Sequence, residues 1–291
     1  MKKVVVFGGA GFLGSYLVQE LLYRNYHVTV ADLVSPIVDA EFISCSILNQ
    51  QEVEDAIGTD TDVVYNLAGF ANLDKAVDFP VDTFSLNVIG NLHVLEACRK
   101  KKIKHFVYAS SAYALNDKGS FYGISKLTSE KNVREFHKRY GLNYTILRYG
   151  SVYSDRDFEN NYIFHVVKEA LQNGKIFHSG DGEEIREYIH AADAARLSVD
   201  VIENGDYLNE NLMLTGVERM RRLELFQMIN EILGGQISIH LKKDGYHHHY
   251  KQTPYAWQPE SSRKLAANPY IDMGQGILAC IHTIQHSQDN G

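Results

Sequence analysis

Seven residues near the N-terminus, Gly8-Gly9-Ala10-Gly11-Phe12-Leu13-Gly14, carry the spacing G-x-x-G-x-x-G between a β-branched run and an apolar helical pattern. Glycine at Gly8, Gly11 and Gly14 lets the backbone turn tightly and approach a pyrophosphate. It also lets the helix opening at Phe12 and Leu13 pack on its strand, while the N–H groups of that helix end face the anion. Asp32 stands 18 residues after Gly14 at the end of the next β-branched run. A carboxylate there can accept hydrogen bonds from an adenosine ribose and repel a 2′-phosphate, which favours NAD over NADP. Glycine spacing alone is a weak signal, and a glycine-rich turn with a capping aspartate is the plain alternative. The strand–turn–helix–strand context favours the cofactor reading.

A second group is Tyr122-Gly123-Ile124-Ser125-Lys126, with Ser111 closing an earlier apolar run. Tyr122 and Lys126, four residues apart, share one helix face. A free phenol has a pKa of about 10, but a cation at about 4 Å is worth about 4 kcal/mol at an effective dielectric of about 20, or about three pKa units. The pairing therefore predicts a Tyr122 phenol near neutrality, able to move a proton. Ser111 is placed to hydrogen-bond the oxygen of an alcohol being oxidised, and a nicotinamide would move the hydride. The bland reading, a surface Tyr–Lys pair, loses weight beside the dinucleotide loop.

Parallel strands alternating with crossover helices would position these groups. Strands are predicted at 3–7, 27–32, 41–44, 62–67, 103–109 and 143–148. The strongest helices are 12–24, 81–101 and 120–140, the last ended by Gly141 in a left-handed cap. Beyond about residue 150 the alternation weakens. Helical patterns at 159–173, 191–203, 221–233 and 274–286 are joined by short strands, and 241–262 reads as a polar, aromatic loop. The fold class is α/β, a doubly wound parallel sheet with a smaller C-terminal α/β lobe. Residues 1–155, with returning segments near 176–215, would hold the cofactor, and 156–291 would mainly hold substrate.

Composition narrows the partners. The 291 residues carry 29 Lys plus Arg against 36 Asp plus Glu, a formal charge of -7, so neither nucleic acid nor an anionic membrane is expected. Cys45, Cys98 and Cys280 form neither a disulfide framework nor a metal pattern, which fits a reducing, cytoplasmic setting. The apolar stretch from Val4 to Leu22 is broken by glycines and Ser15 and reads as folded core rather than leader or membrane span. No metal site is expected. His247, His248 and His249 are adjacent and read as part of a substrate-lobe loop rather than as zinc ligands. Cys98 reads as a small core residue, and Arg219, Arg221 and Arg222 as a solvated face.

With these motifs in place, nearly the whole chain resembles the extended short-chain dehydrogenase/reductase family, specifically its NAD-dependent nucleotide-sugar epimerases and dehydratases. Beside the glycine loop and YGISK, the likeness rests on Asp62-Val63-Val64-Tyr65-Asn66-Leu67-Ala68-Gly69, Asn87-Val88-Ile89-Gly90-Asn91, Leu147-Arg148-Tyr149-Gly150-Ser151-Val152-Tyr153 and the run from Gly180 to Asp193. The resemblance implies a Rossmann domain with Ser111, Tyr122 and Lys126 as catalytic trio. Lys126 would also bind the nicotinamide ribose, and Leu67, Ala68, Gly69 and Asn87 would lie at the cofactor, Asn87 near an active-site water. Arg186 would meet the nucleotide diphosphate, and a homodimer would form through a four-helix bundle of helices like 81–101 and 120–140.

Departures narrow the activity. Ala112 and Tyr113 follow Ser111 where family dehydratases carry Asp-Glu, which argues against dehydration. The ten residues between Ser111 and Tyr122 are fewer than is usual in sugar epimerases, so the loop capping the sugar is trimmed. Ser46 stands where an adenine-binding aspartate is usual, and no arginine lies between Arg222 and Arg263 as a second phosphate ligand, for which Lys242 or Lys243 could substitute. The leading expectation is an NAD-dependent epimerase acting on a nucleotide-activated sugar through a transient 4-keto intermediate. A 4-keto-sugar reductase, a nucleotide-sugar dehydrogenase and a non-catalytic NAD(H) sensor remain as alternatives.

Overall fold

The computed structural model describes residues 2–115, 118–242, 249–252, 262–265 and 270–289. Its centre is an eight-stranded sheet. In chain order the strands are β1 (Lys3–Phe7), β2 (His27–Asp32), β3 (Glu41–Ser44), β4 (Val63–Asn66), β5 (His105–Ser111), β6 (Tyr144–Tyr149), then, after four short strands, β11 (Glu210–Leu214) and, after two more, β14 (Arg263–Leu265). They lie in the order β14-β11-β6-β5-β4-β1-β2-β3, every pair parallel. Parallel strands covered on both faces need near-continuous apolar runs, and Val4 to Phe7 and Val63 to Tyr65 supply them, all buried. One face is covered by α1 (Phe12–Tyr23) and α8 (Ala191–Glu203), through Leu17, Leu21, Leu197 and Val201. The other is covered by α2 (Gln50–Ala56), α5 (Asn91–Lys101) and α6 (Ser120–Tyr140), through Val53, Leu95, Cys98 and Val133. This is the doubly wound arrangement, and α6 ends at Gly141, φ 71°, as its glycine predicts.

The chain leaves β1 toward β2 and β3 on one side and returns through β4 to β6 on the other. That reversal opens a crevice beyond the carboxyl ends of β1 and β4. A second apolar cluster joins α7 (Tyr162–Asn173), α9 (Arg222–Ile232) and α10 (Met273–Asp289). Around it lie three two-stranded sheets: β7 (Ser151–Tyr153) with β10 (Tyr188–His190), β9 (Ile185–Arg186) with β12 (Met220–Arg221), and β8 (Lys175–Ser179) with β13 (Ser238–Lys242).

Three details differ from expectation. Strand β5 runs two residues further than 103–109, so Ser111 is its last residue. Helix 81–101 is interrupted: α3 (Leu73–Asp78) and α4 (Pro80–Phe84) are followed by a π-helical turn, Ser85–Gly90, before α5. Arg263–Leu265, expected in the C-terminal lobe, is an edge strand of the main sheet, paired with β11.

Candidate active site

The crevice is a cleft of about 530 Å³. Gly8, Gly11, Phe12, Leu13, Gly14, Asp32, Leu67, Ala68, Gly69, Ser111, Tyr122 and Lys126 all line it. Backbone geometry builds its first wall. Gly8 adopts φ +78°, and a Cβ there would lie 2.7 Å from the Leu67 carbonyl carbon. A Cβ on Gly14 would overlap the Gly8 carbonyl oxygen and lie 2.9 Å from the Gly9 Cα. Gly11, the N-cap of α1, is exposed to the cleft, and no side chain caps the helix, leaving its first N–H groups for an anion. Asp32 fastens the turn: its carboxylate accepts from the Ala10 N–H at 2.9 Å and the Leu33 N–H at 2.7 Å.

Side chains build the opposite wall. Ser111 is 6% exposed, accepts from the Tyr113 N–H at 3.3 Å and acts on the phenol of Tyr122, which lines the same cleft. Lys126, one turn along α6, donates to the Ala109 carbonyl at 2.9 Å, and its Nζ is 5.8 Å from the centre of the Tyr122 ring. Burial pulls the Lys126 ammonium down to about 8, against an opposing influence from Glu130. Burial also raises the Tyr122 phenol above its ordinary value, with Ser111 acting in the lowering direction. This corrects the expectation of a near-neutral phenol, because in the free protein desolvation outweighs any benefit from the lysine.

Behind this wall lies a buried ion pair that the motif search missed. Glu130 is fully buried and accepts from Ser110 Oγ at 2.6 Å, Arg148 Nε at 2.8 Å and Arg148 Nη2 at 2.6 Å. Tyr122, Lys126 and Glu130 are spaced i, i+4, i+8 on one helix, the signal that could have found it. Asn87, on the π-helical turn and expected at the cofactor, is 2% exposed and lies behind the cleft rather than among its lining residues. Its Oδ1 accepts from the Phe70 N–H at 2.7 Å, and its Nδ2 donates to Phe70 O at 3.1 Å and to Ser125 Oγ at 2.9 Å. Asn87 thus fixes the Gly69–Phe70 backbone against α6, and a Cβ on Gly69 would collide with it. A π-helical turn at such a position is a recurrent functional device.

Arg186 is 2% exposed, and the structure sets it apart from the trio. It donates to Ile185 O at 2.8 Å, its guanidinium is 4.2 Å from the centre of the Tyr250 ring, and it is not among the described residues lining the cleft. Arg222, expected on a solvated face, is buried, 4.0 Å from the Tyr162 ring. Ser46, in place of an aspartate, donates its N–H to Glu52 at 2.8 Å. His247, His248 and Lys243 lie outside the described residues, while His249 bonds to Tyr113 and Asp74. Among the described residues no group of three or more metal-binding side chains is found, and no helix is long and apolar enough to cross a membrane. The glycine cradle, the uncapped α1 terminus and the Asp32 carboxylate together fit a dinucleotide.

Residues 4–212 match the pattern of the NAD dependent epimerase/dehydratase family. The chain belongs to that family. Several known proteins are similar to this chain over most of its length. UDP-glucose 4-epimerase of Thermotoga maritima, solved with UDP-glucose, is 25% identical with a TM-score of 0.83, covering 98% of this chain and 99% of its own. UDP-glucuronic acid 4-epimerase of Bacillus cereus, solved with UDP-glucuronic acid and NAD, is 25% identical with a TM-score of 0.84 over the same shares. An uncharacterized UDP-glucose epimerase of Bacillus subtilis is 26% identical over 82% of this chain and 84% of its own. This family member is an NAD-dependent enzyme of nucleotide-sugar chemistry, with the expected extended short-chain dehydrogenase/reductase fold.

Proposed function

We propose that the enzyme is a 4-epimerase of a uridine-diphosphate hexose or hexuronic acid, working through a transient 4-keto sugar. The observation that carries this reading is the meeting of Ser111, Tyr122 and Lys126 at the mouth of the glycine-lined cleft. When bound, NAD supplies a hydride acceptor and donor. Gly8, Gly11 and Gly14 give it close backbone approach, Phe12 and Leu13 offer helix-end N–H groups to its pyrophosphate, and Asp32 takes the adenosine ribose. Leu67, Ala68 and Gly69 form the floor, with Asn87 as their support, and Lys126 reaches the nicotinamide ribose.

Tyr122 takes the proton of the sugar 4-hydroxyl as carbon 4 gives up its hydride, and Ser111 hydrogen-bonds the same oxygen. After the keto sugar turns over, hydride return to its other face is matched by proton return from Tyr122, so sugar and cofactor end with no net change in redox state. Burial holds the Tyr122 phenol above its ordinary value while Ser111 acts in the lowering direction, and Lys126, 5.8 Å from the ring centre, would supply a cation favouring the ionised form. Arg186 is assigned to the diphosphate. The division into a cofactor part, residues 1–155 with returns near 176–215, and a mainly substrate-binding remainder is supported by the separate apolar cluster of α7, α9 and α10.

The second reading, a reductase or dehydrogenase that exchanges its cofactor, is favoured by Ser46 standing in place of an adenine-binding aspartate. Incubation with UDP-glucose and UDP-glucuronic acid without added cofactor separates the two. An inverted C4 centre by NMR without accumulation of reduced nicotinamide absorbance supports the epimerase. Stoichiometric NADH with a keto sugar, or turnover only with external NADH, rejects it.

Assembly is proposed as a homodimer through a four-helix bundle. Support comes from an exposed apolar strip at the α4, π-turn and α6 surface: Val81 is 75% exposed, Ile89 47%, Phe121 38% and Ile124 55%. Ile124→Lys should convert the dimer to monomer in light scattering. We place the protein in the cytoplasm, a reading supported by three buried, unpaired cysteines.

A further inference from the structure

The residues between the Ser111–Tyr122 pair and Arg186 are not those of the family motifs. Tyr113, two residues after Ser111, donates or accepts a hydrogen bond at 2.7 Å with His249 Nδ1, and His249 Nε2 is 3.1 Å from Asp74 Oδ1. With a neutral imidazole a single tautomer satisfies both contacts: Nε2–H donates to Asp74 and Nδ1 accepts from the Tyr113 hydroxyl. This chain joins three segments far apart in sequence, the first turn of α3, the turn after β5 and the residues following 248. Tyr250 lies beside it, 4% exposed, with its ring 4.6 Å from that of Tyr113 and under the Arg186 guanidinium at 4.2 Å. Tyr113 in turn meets Tyr122 edge-on at 6.4 Å between ring centres. The next residue is tied as well: Lys251 O accepts from the Ile185 N–H at 2.8 Å, and Lys251 Nζ donates to Asp181 at 2.9 Å.

We propose that Tyr113, held by the hydrogen-bond chain through His249 to Asp74 and backed by the buried Tyr250 ring, is the wall against which the hexose ring is placed, and so determines which nucleotide sugar reacts. This rests on the epimerase reading, which puts carbon 4 at Tyr122 and the diphosphate at Arg186; a hexose there must lie beside Tyr113, whose ring meets that of Tyr122. The electrostatic influence of Tyr250 on the Tyr122 phenol agrees with that placement. So does the short connection between Ser111 and Tyr122, which leaves this side of the site to be covered by another segment. An aromatic ring suits the task, since Tyr113 can present flat apolar area to the C–H face of a pyranose while its hydroxyl stays hydrogen-bonded to His249. His249 and Asp74 are positioning residues, acting through Tyr113.

The test compares UDP with UDP-glucose and UDP-glucuronic acid, titrated calorimetrically into NAD-loaded protein. The His249→Ala variant should bind UDP within about two-fold of the unmodified protein but at least one UDP-sugar about ten-fold more weakly, the size of one charge-assisted hydrogen bond. The same loss should appear in KM rather than kcat. His249→Gln, whose amide can accept from Tyr113 and donate to Asp74, should recover most of it. Tyr113→Phe keeps the ring and the packing, serves if His249→Ala does not fold, and should show the same selective loss. Equal weakening of UDP and UDP-sugars, or no weakening, overturns the wall. If the unmodified protein binds no nucleotide sugar, the epimerase reading itself falls.

Discussion

The two walls of the cleft are built from different material. Along β1, β2 and α1 the wall is backbone: glycines at Gly8, Gly11 and Gly14, an uncapped helix end and one carboxylate tying the turn. Along β5, β6 and α6 it is side chain: Ser111, Tyr122 and Lys126 in front, Glu130 and Arg148 behind, nearly all withdrawn from water. The first wall selects its ligand by shape and, at Gly8 and Gly14, has no room for an added carbon. The second holds protons and charge at low dielectric, so a change of one hydroxyl or one charge at constant volume is felt there. Substitutions that add volume and substitutions that remove polarity should therefore separate the two.

The largest effect is expected from Tyr122→Phe. Loss of one proton-transfer hydroxyl should lower kcat by about 10²–10⁴-fold. NAD affinity, set on the other wall, should change less than about two-fold by fluorescence titration. Retention of more than about a tenth of kcat would break the assignment of Tyr122 as acid–base group.

Glu130→Gln comes next. It leaves the buried Arg148 guanidinium without its carboxylate and should cost about 3–5 kcal/mol of stability in denaturant titration. It also tests the charge of Lys126. In the native protein that ammonium is pulled from 10.5 to about 8, so between pH 8 and 10.5 the unfolded chain binds more protons and stability gained from this group rises with pH; below 8 the penalty of burying the cation is present in full. Lys126→Met should remove that rise. Glu130→Gln, which deletes the influence that raises Lys126, should move its onset to lower pH. Stability curves of the native protein and Lys126→Met that stay parallel from pH 7 to 10 would show that Lys126 is not held as a desolvated cation.

How much of this was legible in the sequence follows the same division. The backbone wall was readable because glycine spacing has direct conformational meaning, and Gly8, Gly14 and Gly141 stand where their geometry requires. Strands near the sheet centre were readable because double-sided burial demands continuous apolar runs. On the other wall, residue spacing identified the trio but could not give its burial, so the direction of the Tyr122 shift was missed. The Ser85–Gly90 π-turn leaves no compositional trace, since its residues suit an ordinary helix. Strands such as Lys175–Ser179 and Ser238–Lys242 were hidden because each is short, half exposed and paired only with a distant partner. Arg222 looked solvated because a run of arginines before a helix usually is, and only tertiary packing brings the Tyr162 ring to it.

Gly14→Ala tests the backbone wall by volume. The new Cβ would overlap the Gly8 carbonyl, so the turn must shift, and overpacking of this kind costs about 1–3 kcal/mol. Both melting temperature and NAD affinity should fall, because the same peptide is a packing contact and a cofactor cradle. Gly11→Ala, whose Cβ would meet only the Gly8 oxygen at 3.3 Å, should spare the melting temperature and weaken NAD alone. Identical behaviour of the two variants would erase the distinction between fold glycine and cradle glycine.

The smallest effect is expected where the two kinds of construction meet, at Asp32. Its carboxylate is a polar side chain serving a backbone wall: it accepts from Ala10 and Leu33 while facing the cleft where the adenosine ribose is assigned. Asp32→Asn preserves volume and keeps an oxygen for one of those N–H groups, so the fold should persist. What changes is charge. A neutral amide accepts ribose hydrogen bonds less strongly and no longer repels a 2′-phosphate, so NAD should bind about ten-fold more weakly, a loss of about 1.4 kcal/mol. NADP should gain by a similar factor. Leu33 beside it offers no cation, so the gain should come from relieved repulsion alone, and raising the salt concentration should improve NADP binding to the native protein more than to Asp32→Asn. Equal or tighter binding of NADP to the unmodified protein, measured by calorimetry, would remove Asp32 as the source of cofactor choice and leave it as a turn-fastening residue.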